Sequence, residues 1–307
     1  MKIVIIGTGG VGGYFGGKLA EAGEDVTFVA RGEHFKKINS SGLKVKSWKG
    51  DFEIKPAKVV QNISELKNPD LILLGIKSWQ VSGVAEEIKN ILSEKTIVQP
   101  MQNGVLAAEE LKQVLPEQNV INGLCWIFSK IENPGIINHM SSEPVITFGE
   151  CNNEKTERVQ KLEQLYLNAG IKTILADDID VALWKKFILI CLSGLCAVAN
   201  SAHGPLRELP ETREMMINLL EEVYQVGKAS GVNLQENVVE KTMKAVDNMD
   251  YNATSSLTRD VWEGKPSEIE YQNGTVVKLG KKLGIPVPVN TFVYNCLLPQ
   301  EIKARNV

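Results

Sequence analysis

Residues 1–13, MKIVIIGTGGVGG, decide how the rest of the chain is read. Residues 3–6 are apolar in succession, the pattern of a strand buried on both faces. They run into Gly7-Thr8-Gly9-Gly10-Val11-Gly12, and the following YFGGKLAEAG reads as a helix. Strand, glycine turn and helix in that order are the context in which G-x-G-x-x-G becomes a dinucleotide-binding fingerprint. Gly7 permits the tight turn, Gly9 lets backbone approach a pyrophosphate, and Gly12 lets the helix pack close to the strand. The helix start offers unpaired N–H groups and a positive dipole end to phosphate. Gly7, Thr8, Gly9, Gly10, Val11 and Gly12 are therefore the expected cofactor-binding residues.

A second parallel strand is expected over residues 25–30. In an NAD site an acidic residue stands near its end, about 20 residues past the glycines, and accepts from the ribose hydroxyls. Arg31 holds that place here, with Lys36 and Lys37 following. A guanidinium suits a 2′-phosphate and leaves the NAD ribose without its acceptor. The alternative is an arginine that merely opens a solvated loop; its position relative to Gly12 favours NADP.

Residues 40–60 alternate with a period near two, with Lys49-Gly50-Asp51 as a turn, and predict a hairpin inserted in the nucleotide domain. Buried strands are expected at 70–76 and 96–100, each followed by a helix. Such alternation gives a mostly parallel sheet, whose ligands gather beyond the carboxyl ends of the strands. Lys77 and Asn103 occupy that kind of place, though each also reads as an ordinary turn residue. Further strand-like stretches cover 120–128, 135–139 and 144–149. A helix follows over 154–168, and 171–176 completes the sheet. From residue 177 onward the periodicity is helical, over 179–201, 211–231, 235–249, 266–283 and 290–303. The expected organisation is α/β: a Rossmann-like NADP-binding domain over 1–177, then a smaller all-helical substrate and catalytic domain over 178–307.

Composition bounds the function. The 307 residues are 43% apolar and 23% charged, with a net charge of −3, so there is no basic footprint for nucleic acid. No signal peptide is visible before the first strand, and a cytoplasmic location is expected. The longest apolar run, 187–199, contains Ser193 and Gly194 and is too short for a bilayer; a buried core helix is expected. Five cysteines in an odd, unpaired pattern suggest reduced thiols. The three histidines, His34, His139 and His203, form no ligand pattern, so no metal site is expected.

With NADPH across the strand ends, the default chemistry is hydride transfer to a carbonyl. Negative charge then builds on oxygen and must meet a donor or cation. No histidine has an evident carboxylate partner, and a lysine can serve instead. The best candidate is Lys185-Lys186, which opens a strongly apolar helix, although lysines at such a helix end also snorkel toward water. A second feature is KPSEIEYQNG, residues 265–274. On a helix Glu268 and Gln272 would share a face, and Glu268 near a helix start is also simply favourable to the dipole.

Together these segments resemble the ketopantoate reductase (2-dehydropantoate 2-reductase) family over essentially the full length. The resemblance rests on GTGGVGGYFG, ARG at 30–32, IKSWQV after the middle strand, MQNG after the next, and then LWKK, SSL, KPSEIEYQNG and GIPVPVN. It implies that the glycine turn and Arg31 hold NADPH, and that Lys77 and Asn103 lie near nicotinamide and substrate. It also implies that Lys186 is the catalytic lysine, acid to the developing alkoxide. Glu268 would hold the substrate's hydroxyl end, and Ser256, twelve residues earlier, would also contact it. The implied reaction is NADPH-dependent reduction of ketopantoate to pantoate for pantothenate and coenzyme A synthesis.

Two positions depart from the family pattern. Asparagines four and eight residues past the lysine are replaced by Ile190 and Gly194, with Ser193 beside that face. A more apolar pocket would suit another branched 2-keto acid, and a non-catalytic NADP-binding sensor is a third reading. The expected partner is a small 2-keto acid, with neither nucleic acid nor membrane. Exposed faces of the C-terminal helices are where a homodimer would form.

Overall fold

The computed structural model describes residues 1–306. The chain runs β1 (Lys2–Ile6), α1 (Gly10–Glu21), β2 (Asp25–Val29), α2 (Gly32–Ser41), β3 (Leu43–Ser47), β4 (Phe52–Ile54), β5 (Lys58–Val60) and β6 (Leu71–Leu74). It continues with α3 (Val81–Lys89), β7 (Ile97–Pro100), α4 (Ala107–Lys112), β8 (Asn122–Asn133), β9 (Ile136–Gly149), α5 (Glu157–Asn168) and β10 (Lys172–Leu175). Helices make up the remainder: α6 (Ile179–Ile190), α7 (Leu192–Val198), α8 (His203–Glu208), α9 (Pro210–Ala229), α10 (Val238–Asp247), α11 (Ser256–Trp262), α12 (Asn273–Leu283) and α13 (Pro288–Arg305). The chain is thus α/β, a parallel-sheet N-terminal region followed by a helical one. It divides into two compact units, residues 1–102 with 106–179, and residues 103–105 with 180–307.

In the first unit, β5-β2-β1-β6-β7 form an all-parallel sheet. Ile3, Val4, Ile5 and Ile6 of β1 are all buried, as a central strand covered on both faces must be. The sheet reverses direction of growth at β1: β2 lies on one side and β6 on the other, so the glycine turn sits at the topological switch point. The chain does not, however, build one sheet with an inserted hairpin. The strands β10-β9-β3-β4, with β8 on β9, form a second sheet, and residues 171–176 close that one rather than the first. The predicted hairpin exists as β3–β4, but β3 also pairs in parallel with β9, ninety residues on. The stretches read separately as 135–139 and 144–149 are one strand, β9. Local alternation marks strands; it carries no record of which distant strand each will join.

Helix α1 lies between the two sheets. A Cβ at Gly16 would come within 2.5 Å of Ile5 Cγ1 and 2.8 Å of a Phe28 ring carbon. On the opposite side, one at Gly13 would come within 2.7 Å of Ile137 Cγ1. Absent side chains therefore let both sheets close onto one helix. His34 of α2 ties the layers at one end: its Nε2 donates to the Thr8 carbonyl (2.8 Å), and its Nδ1 accepts from Gly135 N (3.0 Å) in the β8–β9 turn.

The helical unit has its own core, built around Phe187, Met216, Leu219, Val223 and Val276. Residues 179–198 are long and apolar enough to cross a membrane, with mean hydropathy 1.9 over an 18-residue window of that segment. Most of the segment is buried inside the protein, and α6 ends and α7 begins on either side of Cys191. The five cysteines form no disulfide among the described residues, and burial pushes the Cys196 thiol up to about 12.

Burial holds His34 below the ordinary histidine value of 6.5, outweighing its hydrogen bond to Thr8, and burial does the same to His203. The unfolded chain therefore binds protons that the folded chain does not. The stability from these neutral imidazoles is complete above about pH 6.5 and is lost as pH falls through the depressed folded values. Urea unfolding at pH 8 and pH 5.5 is expected to show this loss. His34→Gln should reduce the slope without abolishing it, and an unchanged slope would remove His34 from the titration.

Candidate active site

In the first unit the glycine turn brings the end of β1 and the start of α1 together. Gly7 ends β1 with φ +92°, and a Cβ there would meet Ile76 Cγ2 at 2.7 Å and the Gly75 backbone at 2.8 Å. A Cβ at Gly12 would overlap the Gly7 carbonyl oxygen and lie 2.9 Å from Ile5 Cγ2. These two glycines hold the start of α1 hard against β1. Gly9, the N-cap, has open space around its Cβ direction and supplies no side-chain cap, and no acidic residue stands in the first turn of α1. The N–H groups of Gly10, Val11 and Gly12 precede the first intrahelical donor, Gly13 N to Gly9 O at 2.7 Å. Gly10 packs against the Ser129–Lys130 backbone of β8, which leaves the open side of this uncapped, positively polarised helix end at Gly9, a geometry that fits a pyrophosphate. Thr8 is buried, with its hydroxyl donating to Val29 O at 2.9 Å, so the turn is locked to the end of β2.

Arg31 is the N-cap of α2, immediately after β2. It is exposed, and its guanidinium makes no hydrogen bond or ion pair among the described residues. Lys77 follows β6 and begins a 3₁₀ turn, Ser78–Gln80, with its N–H donating to Gln80 Oε1 (3.1 Å) and its Nζ over the Trp79 ring. The sequence reading missed Gln102. It is buried, and its Nε2 donates to the carbonyls of Leu74 (2.8 Å) and Ile76 (3.1 Å), fixing the backbone that leads into Lys77. No local signal marks it, because the two carbonyls it bonds are 26 and 28 residues away.

Asn103 groups with the second unit, not with the strand it follows. Gly104 approaches the Tyr271 carbonyl, and Val105 packs against the helical core. The structure therefore assigns Asn103 to the same unit as Lys186, Ser256 and Glu268. The tandem lysines of α6 are separated by their helical positions: Lys185 is exposed, while Lys186 is only 7% exposed. Snorkelling describes Lys185 alone. Burying an ammonium is costly unless it is paired, and Lys186 does have interactions. Ser256 opens α11 and is exposed, while its neighbour Ser255 caps the helix by accepting from Thr258 N.

The expected helix over 266–283 begins later. Residues 265–268 are irregular, Ile269–Tyr271 form a 3₁₀ turn, and α12 starts at Asn273. Glu268 and Gln272 therefore do not share an α-helical face. Both are buried, Glu268 at 5% and Gln272 at 1% exposure. Pro266, where the helix is expected to start, instead lies in the irregular stretch before the turn.

The departures at Ile190 and Gly194 also acquire a physical meaning. Cys191 separates α6 from α7 but keeps right-handed helical dihedrals (φ −62°, ψ −21°) and donates its N–H to Phe187 O at 3.1 Å, so the chain stays helical between the two positions. Ile190 packs against the helical core. A side chain at 194 would overlap Asn273 Oδ1 and approach Val293 Cγ1 at 2.7 Å. Asn273 is fully buried; its Nδ2 donates to Cys191 O (3.1 Å) and Asn290 Oδ1 (2.9 Å), and its own Oδ1 has no partner. Asn290 in turn donates to Glu222 Oε2 (2.8 Å) and Leu219 O (3.1 Å). The amide missing from α7 is thus matched by one projecting from α12 into the space that Gly194 leaves. Ser193 is buried, and its carbonyl accepts from Thr258 Oγ1.

Comparison with known proteins places this arrangement. The family described as ketopantoate reductase PanE/ApbA matches residues 3–153, and its C-terminal counterpart matches residues 178–301. A 2-dehydropantoate 2-reductase from Nostoc is 30% identical over 96% of this chain and 94% of its own length. The uncharacterized oxidoreductase YkpB of Bacillus subtilis is 30% identical over 96% of this chain and 97% of its own. The crystal structure of a PanE/ApbA family ketopantoate reductase from Ralstonia eutropha superposes with a TM-score of 0.91 at 30% identity, covering 99% of this chain and 100% of the other.

Restoring an asparagine at 194 is expected to destabilise the protein, because the amide of Asn273 already fills the space. Overpacking of this kind costs about 1–3 kcal/mol. Denaturant unfolding of Gly194→Asn should show that loss, and Asn273→Gly in the same chain should relieve part of it. A neutral Gly194→Asn would show that Asn273 moves aside freely.

Proposed function

The chain belongs to the ketopantoate reductase PanE/ApbA family of oxidoreductases, and on that premise we propose that it reduces 2-dehydropantoate (ketopantoate) to pantoate with NADPH. The observation that carries this reading is the buried Lys186, in the same unit as the buried Glu268 and the Asn103 turn. A lysine this deeply buried is costly to keep, which makes it a functional-site candidate. NADPH, when bound, supplies the hydride to the keto carbon. The Lys186 ammonium hydrogen-bonds the keto oxygen and transfers a proton to it as negative charge builds. The Glu268 carboxylate accepts from the substrate hydroxyl, and Ser256 and Asn103 orient the substrate. The glycine turn holds the pyrophosphate, and Arg31, exposed with no partner among the described residues, receives the 2′-phosphate. Lys77 completes the cofactor side.

A second reading is favoured by Ile190 and Gly194: an NADPH-dependent reductase of another branched 2-keto acid. The two are separated by kcat/KM for ketopantoate against 2-ketoisovalerate. Ketopantoate should be preferred, and a higher value for 2-ketoisovalerate establishes the second reading instead. Failure to oxidise NADPH with any 2-keto acid leaves a non-catalytic NADP-binding sensor.

Two variants test the roles. Lys186→Ala should lower kcat by about 10²–10⁴-fold, as for loss of a general acid, while NADPH still binds; near-normal turnover removes Lys186 from its role. Arg31→Ala should weaken NADPH by about 10–100-fold, the loss of a charged hydrogen-bond partner, and barely change NADH. Equal effects on the two cofactors overturn the 2′-phosphate assignment.

A further inference from the structure

We propose that Glu301, near the end of α13, is the positioning residue that aims Glu268 at the substrate; this rests on the reading of Glu268 as the group that holds the substrate's hydroxyl end. Glu301 is a carboxylate only 6% exposed, a rare situation for glutamate unless it is paired. Its partners converge on one residue. Glu301 Oε2 accepts from Ser267 N at 2.9 Å and from Ser267 Oγ at 2.6 Å, while Oε1 accepts more weakly from the same N–H at 3.2 Å. One helical turn on, Arg305 Nε pairs with Glu301 Oε1 at 2.7 Å, and Arg305 donates a second bond to the Ser267 carbonyl at 3.0 Å. The N–H, the hydroxyl and the carbonyl of Ser267 are thus all taken by a single face of α13. Ser267 itself is completely buried.

Ser267 directly precedes Glu268, and its hydroxyl oxygen also accepts from Ile269 N at 3.3 Å. The backbone on both sides of Glu268 is therefore referenced to the Ser267 hydroxyl. The 3₁₀ turn is then closed by Tyr271 N donating to Glu268 O at 3.0 Å. Charge-assisted bonds of this type are stronger and more directional than neutral ones. The clamp acts where it is needed, because no α-helix supports Glu268: residues 263–268 lie between α11 and the 3₁₀ turn. The same end of α13 also reaches α11, which carries Ser256 at its start, through Gln300 Nε2 donating to Val261 O. One helical end thus references both of the substrate-side residues contributed by this part of the chain. The sequence reading took 290–303 only as a helix.

The test uses the full-length enzyme with NADPH and ketopantoate, and compares Glu301→Ala, Glu301→Gln, Ser267→Ala and Glu268→Gln for kcat, keto-acid KM, NADPH Kd and Tm. Small misplacements of a substrate-binding group cost much more than their size suggests. Glu301→Ala is expected to raise the keto-acid KM about tenfold, with kcat changing less and NADPH Kd unchanged, and Glu301→Gln, which keeps an acceptor for Ser267, should recover part of the loss. Ser267→Ala, which preserves the ion pair on α13, should shift KM in the same direction and serves if Glu301→Ala does not fold. In the double variant Glu268→Gln/Glu301→Ala, KM should be no worse than for Glu268→Gln alone, since there is no longer a carboxylate to aim. A fall in Tm with KM unchanged, or additive effects in the double variant, would overturn the proposal while leaving the function reading intact. If Glu268→Gln itself leaves KM unaltered, the reading of Glu268 fails, and the positioning role with it.

Discussion

The contact on which the first unit depends is between the backbone of α1 and the carboxyl ends of β1 and β6. Gly7, Gly12 and Gly75 interlock there: a Cβ at Gly75 would come within 2.8 Å of Gly7 O and 2.9 Å of Gly12 Cα. Helix and strands meet backbone to backbone, with no side chain between them. This closeness aims the first N–H groups of α1 at the switch point of the parallel sheet, where a phosphate can use them. The same economy of side chains recurs along α1, at Gly13 and Gly16, and lets a second sheet close on the helix from its other side. Had α1 carried ordinary core residues, two sheets could not both pack on it at these distances.

The second unit places polar groups differently. It encloses them in an apolar helical core and satisfies them through one another. Glu222 accepts from the N–H groups of Val289 and Asn290 at the start of α13, Asn290 bonds Glu222, and Asn273 bonds Asn290. At the other end of α13, Glu301 and Arg305 grip Ser267. Buried networks of this kind are costly when incomplete and rigid when complete. The clamp from α13 holds the residue directly before Glu268, so rigidity at the end of that helix passes to this stretch of backbone. Gln272 Oε1 and Asn273 Oδ1 are the exceptions among the described residues of this unit, and the second sits where the chain departs from the family pattern at Gly194.

The glycine turn, the strands β1, β2, β6 and β7, and the change to helices after β10 were legible in the sequence because each rests on local patterning. Four buried residues in a row, a turn that needs φ > 0, and a 3.6-residue period are all short-range signals. Several site features were not legible. Whether β10 belonged to the first sheet depended on β9 and β3, which are far away in sequence. The start of α12 was misplaced by seven residues because Pro266 and Glu268 make a plausible helix start. In the folded chain Glu301, 34 residues away, takes both the backbone N–H and the hydroxyl of Ser267, and no window around Ser267 contains that partner. Gln102 was missed for the same reason, since its partners lie on a neighbouring strand end.

The sequence by itself determined that a dinucleotide-type glycine turn opens an α/β unit, that a helical unit follows, and which family the motifs resemble. These follow from spacing along the chain, where the physics is that of one turn, one strand or one helix face. Only the tertiary structure decided which of Lys185 and Lys186 is buried, that Asn103 joins the helical unit, and that Gly194 makes room for Asn273. Those outcomes depend on volume and on hydrogen-bond partners brought from 80 residues or more away, as in Asn273 to Cys191. A residue's neighbours in the fold, rather than in the chain, determine whether its charge is buried and what it can bind.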